Sequence, residues 1–381
     1  MRIVHSCLRY PPATGGVETY VKELVIRTRD ITAKRDVRVL TSKLRTHGPV
    51  TELEPSSFLD DPPYVQRLHH SETPFVSYPR LQSLNHYIGH HKPDILHAYS
   101  FWYQPADVTA RYAKRHKIPF IFHPIYYTNS IRHKAHWQLY QKTIGRQTFA
   151  AADVVVVISP FEKQLIEKDN MPVKRFELIS PGVNFDDFSK EYSNPFMDKN
   201  IKGTVLLTVS RISKGKGLSD LIRVLPEILK TIPDAQLVVA GEDFGYLNNL
   251  RELADKLGVA KHVHFLGRLN RDDLVAAYQH ADLFIHPSYY EAFGIVLAEA
   301  LAAKTPVIAR NCTAIPYVVP HSKAGLLFNT KTELIKNIVD ILQSERLRQR
   351  LVAQGEKHVR DNFSWDLAKE KMVNLYKEIN H

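Results

Sequence analysis

Cysteine is almost missing from this chain: Cys7 and Cys312 are the only two among 381 residues. Two thiols cannot supply a disulfide framework for a protein of this size, so a reducing, cytosolic compartment is expected. Long apolar runs are missing as well. Stretches such as Val154–Ile158 fall far short of the roughly 20 residues that a bilayer span requires. The opening residues, Met1 to Cys7, read as a strand and lack the apolar core of a signal peptide. No Asp-x-Asp triplet occurs, and no Cys/His cluster has metal-ligand spacing, so no metal ligand is nominated and no cofactor is expected. The Gly-x-Gly-x-x-Gly fingerprint of a nicotinamide dehydrogenase is absent too, since Lys214-Gly215-Lys216-Gly217 and Thr14-Gly15-Gly16 both fail it.

What is present is an ordinary globular composition with an uneven charge. Hydrophobic residues make up 44% and charged residues 24%, which argues against a disordered or collagenous chain. The length predicts two domains. Formal net charge is +11, and residues 1–150 hold 21 Lys/Arg against 11 Asp/Glu, so nearly all of the excess lies there. A solvated surface accounts for such a charge; a nucleic-acid face or an anionic membrane face would use it.

Short β-branched runs alternate with amphipathic stretches along the chain. Strands are predicted at 2–6, 37–41, 94–98, 120–123, 153–158 and 177–179. After a polar stretch around 192–202 they resume at 204–209, 236–240, 262–266, 281–286, 306–309 and 325–328. Several are near-continuous Val/Ile/Leu runs, as expected of strands covered on both faces. Helical stripes lie between them, such as Leu218, Leu221, Ile222, Leu225, Ile228, Leu229 and Ile232. This alternation predicts an α/β protein of two Rossmann-like, doubly wound parallel-sheet domains. The expected division is 1–192, 193–363 and a closing helix at 364–381 that packs back on the first domain. Residues 45–85, rich in Pro, Ser and His, break the rhythm and read as a long connection or a small excursion.

Four segments carry candidate chemistry. His286-Pro287-Ser288-Tyr289-Tyr290-Glu291-Ala292-Phe293-Gly294-Ile295 follows a strand and opens a helix, with Glu299 two turns further on. Free N–H groups and the positive helix end near Gly294 suit a diphosphate, and carboxylates on either side suit hydroxyls. A first-turn acid facing the dipole plus a surface Glu explains the same residues without a ligand. The loop 210–217 carries Arg211, Lys216 and two glycines after another strand, where cations can neutralise a departing diphosphate. Gly15 and Gly16, after the first strand, would let amides approach a phosphate or sugar. His123 ends a strand at Phe120-Ile121-Phe122-His123, and a single histidine there is more often structural.

In this order the four segments resemble the retaining glycosyltransferases of family 4, whose fold is the two-domain GT-B architecture facing a cleft. The resemblance spans nearly the whole chain. It also rests on Pro93–Ala98, Ala152–Ser159, Pro181-Gly182-Val183, Phe265-Leu266-Gly267-Arg268 and Phe363-Ser364-Trp365. The resemblance implies that Glu291 holds the donor sugar's hydroxyls and that the amides of Ala292, Phe293, Gly294 and Ile295 line the sugar and phosphates. It implies that Glu299 binds the ribose, that Arg211 and Lys216 clamp the diphosphate, and that Gly15 and Gly16 approach it. By the same resemblance His123 would face the donor sugar and Arg268 would mark the nucleobase loop. Three departures from the family pattern stand out: Ser180-Pro181-Gly182-Val183, His97-Ala98-Tyr99, and the loop Gly241-Glu242-Asp243, which lacks an expected second glycine. The implied activity is transfer of a hexose-type sugar from a UDP- or GDP-sugar to a glycan or lipid-linked acceptor, with retention and without a metal. Nucleic acid is not an expected partner. A helix over 131–149, with Lys134, Lys142 and Arg146 beside Trp137, Tyr140 and Ile144, either packs its aromatics inward or lies on an anionic membrane at its inner face. The alternatives are a nucleotide-sugar epimerase or phosphorylase of the same architecture, although nothing signals a pyridoxal-binding Lys, and a non-catalytic basic binding module.

Overall fold

The computed structural model describes residues 1–13, 15–29, 36–45, 52–75, 78–127 and 135–380. The chain divides into two compact units, Met1–Pro181 with Trp365–His381, and Gly182–Ser364. The division falls at Pro181 and not after Tyr192. The helix Phe185–Ser189 belongs to the second unit, because Phe188 packs 6.5 Å from the Tyr278 ring and Gln279 donates to the carbonyls of Phe188 and Lys190.

The first unit is built on β1 (Ile3–Ser6), β2 (Val37–Ser42) and β3 (Val65–Leu68), followed by a two-stranded hairpin of β4 (His70–Ser71) and β5 (Arg80–Leu81). Its sheet is completed by β6 (Ile95–Tyr99), β7 (Phe120–His123), β8 (Val154–Val157) and β9 (Phe176–Leu178). All seven strands of the order β3-β2-β1-β6-β7-β8-β9 run parallel. Central strands such as β8 are buried at every position, which is why they read as continuous apolar runs. β3 lies inside the stretch read as a connection. Its Val-Gln-Arg-Leu pattern is that of an edge strand with only Leu68 fully buried. Arg67 instead forms an ion pair with Asp61 at 2.6 Å and donates to the carbonyls of Ser42 and Pro11.

The helix Trp365–Ile379 returns to this unit, burying Trp365, Ala368, Met372, Leu375 and Tyr376. Trp365 packs against Tyr20 of the helix Gly16–Thr28, at 5.9 Å between rings.

The second unit holds β10 (Val205–Val209), β11 (Gln236–Ala240), β12 (Val263–Gly267), β13 (Leu283–His286), β14 (Val307–Arg310) and β15 (Leu326–Phe328). Its sheet, in the order β12-β11-β10-β13-β14-β15, is also parallel. β10 and β13 are hydrogen-bonded neighbours. The loops that follow them therefore emerge side by side at the carboxyl end of the sheet, where open α/β folds bind ligands. Each unit has its own apolar core. Among the described residues no helix is long and apolar enough to cross a membrane.

Candidate functional site

The loop after β10 and the loop after β13 meet directly in the second unit. Gly217, at φ +68°, makes this approach possible: a Cβ there would lie 2.2 Å from the carbonyl oxygen of Pro287. The Tyr289 N–H donates to the Gly215 carbonyl at 3.2 Å. A side chain at 217 would force the two loops apart.

This approach brings Lys216 onto Glu291. Lys216 Nζ donates to Glu291 Oε1 at 2.6 Å, and His286 Nε2 lies 2.9 Å from the same oxygen. Burial alone would raise the Glu291 pKa, but the Lys216 charge and the His286 hydrogen bond outweigh it and hold the carboxyl well below the usual carboxylate range. Glu291 is thus an ionised acceptor whose second oxygen, Oε2, has no protein partner among the described residues. Its backbone is pinned as well, with the Glu291 N–H donating to Thr313 Oγ1 at 3.0 Å.

Three residues further on, Gly294 takes φ +92° and caps the helix Ile295–Ala302. The N–H groups of Gly294 and Ile295 have no protein acceptor among the described residues, as helix starts leave their first donors unpaired. The Ala292 and Phe293 amides belong to the same turn, while the Phe293 side chain is buried against Phe363. Arg211 is exposed, its guanidinium 5.2 Å over the Phe244 ring, and it has no carboxylate partner among the described residues.

Glu299 is less open than a ribose-binding carboxylate alone would be. Arg271 donates to its Oε1 at 2.5 Å and Tyr278 to its Oε2 at 3.2 Å. Arg271 also holds Asp187 at 2.9 Å, tying the helix Arg271–Gln279 to the segment that enters this unit. Arg268, following β12, is exposed. Among the described residues no group of three or more His, Cys, Asp or Glu side chains is arranged to hold a metal.

The first unit places the remaining candidates differently. Gly15 precedes the helix Gly16–Thr28, and a Cβ on it would meet Glu18 Oε2 at 2.2 Å, whereas one on Gly16 would meet nothing within 4 Å. Glu18 is itself buried in an ion pair with Arg9 at 2.8 Å.

His123 does not present a free nitrogen to a sugar. It is fully buried, with Nε2 2.8 Å from Tyr20 Oη and Nδ1 2.6 Å from His97 Nε2. Tyr20 donates its one proton to the Ile179 carbonyl, so its oxygen must accept from His123 Nε2–H. His123 Nδ1 then accepts from His97 Nε2–H, and His97 Nδ1 accepts from Tyr376 Oη–H at 2.8 Å. Both nitrogens of His123 are used inside this unit. The departure His97-Ala98-Tyr99 belongs to the same buried cluster, with Tyr99 stacked 4.4 Å from His97.

In the segment 131–149 the inward-packing alternative holds for Trp137 and Tyr140 but not for Ile144, which is exposed. Trp137 and Tyr140 are buried, and Tyr140 donates to Asp107 at 2.9 Å; Lys134 lies outside the described residues. The helix is interrupted by a π-turn at Gln141–Gly145. Among the described residues of this segment only Leu139 and Ile144 are exposed large apolar side chains, and Arg146 donates to the Asn170 carbonyl.

Asp220, Arg271 and Arg310 act through partners far away in the chain, a relationship that spacing does not record. His286 meets Glu291 only five residues on, but a histidine ending a strand gives no sign of which carboxylate its ring will reach.

The family model described as Glycosyl transferases group 1 matches residues 191–358, and Glycosyltransferase Family 4 matches residues 14–187. An uncharacterized glycosyltransferase of Methanocaldococcus jannaschii is 30% identical, over 60% of this chain and 61% of that protein. The chain thus spans less than two thirds of that relative's length. The GDP-mannose-dependent alpha-(1-6)-phosphatidylinositol monomannoside mannosyltransferase of Mycobacterium tuberculosis is 25% identical, over 96% of this chain and 95% of that protein. The structure of Anabaena HepE in complex with UDP superposes with a TM-score of 0.82 at 18% identity, covering 99% of this chain and all of that one.

Proposed function

As this chain belongs to glycosyltransferase family 4 and has the GT-B fold, we propose that it transfers a hexose-type sugar from a nucleoside-diphosphate sugar to an acceptor hydroxyl. The observation that carries this reading is the Lys216–Glu291 contact beside the Gly294 and Ile295 N–H groups, which have no acceptor among the described residues. One carboxylate oxygen is left for sugar hydroxyls, while amides and a cation gather where a diphosphate would lie. Arg211, which has no carboxylate partner among the described residues, adds a second positive charge.

The acceptor hydroxyl attacks the anomeric carbon on the face from which the diphosphate departs. The bond to the diphosphate oxygen breaks, its charge is taken up by Lys216 and Arg211, and a β-phosphate oxygen accepts the hydroxyl proton. Configuration at the anomeric carbon is retained and no metal takes part. Glu291 is not the nucleophile, because its free oxygen serves hydroxyl groups. Glu299 takes the ribose through whatever capacity Arg271 and Tyr278 leave it.

The base is uracil or guanine: the M. tuberculosis relative is named for GDP-mannose and the Anabaena structure holds UDP. The basic excess of residues 1–150 favours a phosphorylated or lipid-linked acceptor, with an anionic membrane surface as the place of encounter. Incubation with UDP- and GDP-hexoses, with and without a chelator, tests the reading. Sugar-dependent release of nucleoside diphosphate that survives the chelator is expected, and loss of turnover with chelator would overturn the metal-free step. An inverted product by NMR would overturn retention.

A further inference from the structure

His286 is the last residue of β13, and its ring is 1% exposed. Among the described residues the only hydrogen bond the ring makes runs from Nε2 to Glu291 Oε1, at 2.9 Å. An ionised carboxylate accepts and cannot donate, so Nε2 must carry the proton. Nδ1 is then buried with no partner among the described residues. An apolar ring would fill the same space without leaving a nitrogen unsatisfied, so what the imidazole supplies is the single N–H aimed at Glu291.

That bond has a distinct consequence because Lys216 ends on the same oxygen. Both donors hold Oε1 and neither touches Oε2. Lys216 sits on a flexible stem in a loop and, on the reading above, also serves the diphosphate. The His286 ring, at the end of a strand and enclosed on all sides, has nowhere to turn. Once the ammonium moves toward phosphate, the strand-borne N–H is what keeps the carboxylate oriented.

We propose that His286 is a positioning residue: its Nε2–H fixes Glu291 Oε1 so that Oε2 alone meets the donor sugar's hydroxyls, whichever way Lys216 points. This rests on the glycosyl-donor reading of the site.

The test compares His286→Phe, which keeps a ring and removes the donor, with His286→Gln, which returns an N–H near the Nε2 position. Affinity is measured for a nucleotide sugar and for the matching nucleoside diphosphate, alongside transfer kinetics. His286→Phe should lower kcat/KM by about tenfold or more, the scale of a hydrogen bond to a charged group. It should also abolish the sugar-dependent part of the affinity while nucleoside diphosphate affinity changes by less than about twofold. His286→Gln should recover most of that loss. Equal losses for both ligands, equal behaviour of Phe and Gln, or no loss at all would overturn the proposal.

The His286–Glu291 bond is read independently of any donor by ¹⁵N NMR of labelled histidines. The wild type should show His286 as the Nε2–H tautomer, with an Nε2 resonance that moves in Glu291→Gln; an Nδ1–H tautomer would overturn the proposal by itself. Failure of the wild type to distinguish nucleotide sugar from nucleoside diphosphate would instead remove the donor reading.

Discussion

Arg310 lies 4.3 Å over the ring of Tyr289, and both side chains end on one atom, Asp220 Oδ2, each at 2.6 Å. Arg310 Nε also donates to the Pro287 carbonyl at 2.9 Å. Asp220 stands in the first turn of the helix that follows Lys216, and Tyr289 lies two residues before Glu291. The three side chains thus brace the cation loop against the carboxylate loop from behind. Asp220→Ala would leave the Arg310 guanidinium partly buried without its anion. We expect a loss of roughly 1–3 kcal/mol, a fall in Tm of several degrees, and weaker nucleoside diphosphate binding. An unchanged Tm by calorimetry would show that the brace is dispensable.

Removing the cations should act on chemistry more than on folding. Lys216→Ala and Arg211→Ala are each expected to lower kcat by about 10²–10³-fold, the scale on which one preorganised charge-stabilising donor acts. Thermal stability of Arg211→Ala should stay close to wild type, because that side chain is exposed and, among the described residues, has no ion-pair partner and only the Phe244 ring beneath its guanidinium. Steady-state kinetics beside thermal melts separate the two effects.

Gly217→Ala tests the close approach of the loops. A methyl group 2.2 Å from the Pro287 carbonyl oxygen, at φ +68°, cannot be accommodated without moving backbone. The variant should lose about 1–3 kcal/mol of stability and most of its turnover. Gly16→Ala is the contrast: its Cβ meets nothing within 4 Å, and helix position 16 should accept alanine with stability equal to wild type or slightly higher. Denaturant midpoints measured on both distinguish steric conflict from a general intolerance of alanine.

The buried histidines of the first unit make its stability depend on pH. Burial lowers the pKa of His5 and of His123 to about 3 and that of His97 well below 6.5. The unfolded chain therefore binds protons between pH 6.5 and 3 that the folded unit refuses. Stability from these groups is complete above about pH 6.5 and falls on acidification, by up to about 1.4 kcal/mol per pH unit for each histidine. Glu162 runs the other way. Burial raises its pKa to about 7, so its contribution is present at low pH and is lost as pH rises through 7, offsetting one histidine between about pH 4.5 and 7. A net fall in the urea midpoint from pH 7 to pH 5 is expected, and a flat profile would contradict it.

The parallel strands were legible because each must be apolar on both faces, as Val154–Val157 shows. Val65–Leu68 was not, since an edge strand that hides only Leu68 leaves too little apolar pattern. At the site, Lys216 and Glu291 could be placed because each follows a strand at the end where ligands gather. Their direct contact depends on β10 and β13 being neighbours, which spacing alone does not say. His123 illustrates the opposite failure. A histidine at a strand's carboxyl end looks poised for a ligand, but the adjoining strand places His97 against one nitrogen and Tyr20 takes the other.

The return of the helix Trp365–Ile379 to the first unit has a consequence for biosynthesis. The second unit is one unbroken segment, Gly182–Ser364, and all of its strands leave the ribosome before the closing helix does. The first unit begins synthesis earlier yet lacks the helix that carries Trp365, Met372 and Tyr376 until the whole of the second unit has been made. At about 5–20 residues per second the wait is roughly 10–40 s. During that interval the hydrogen bond that Tyr376 gives His97 is missing, and the earlier-made unit is the later to be completed.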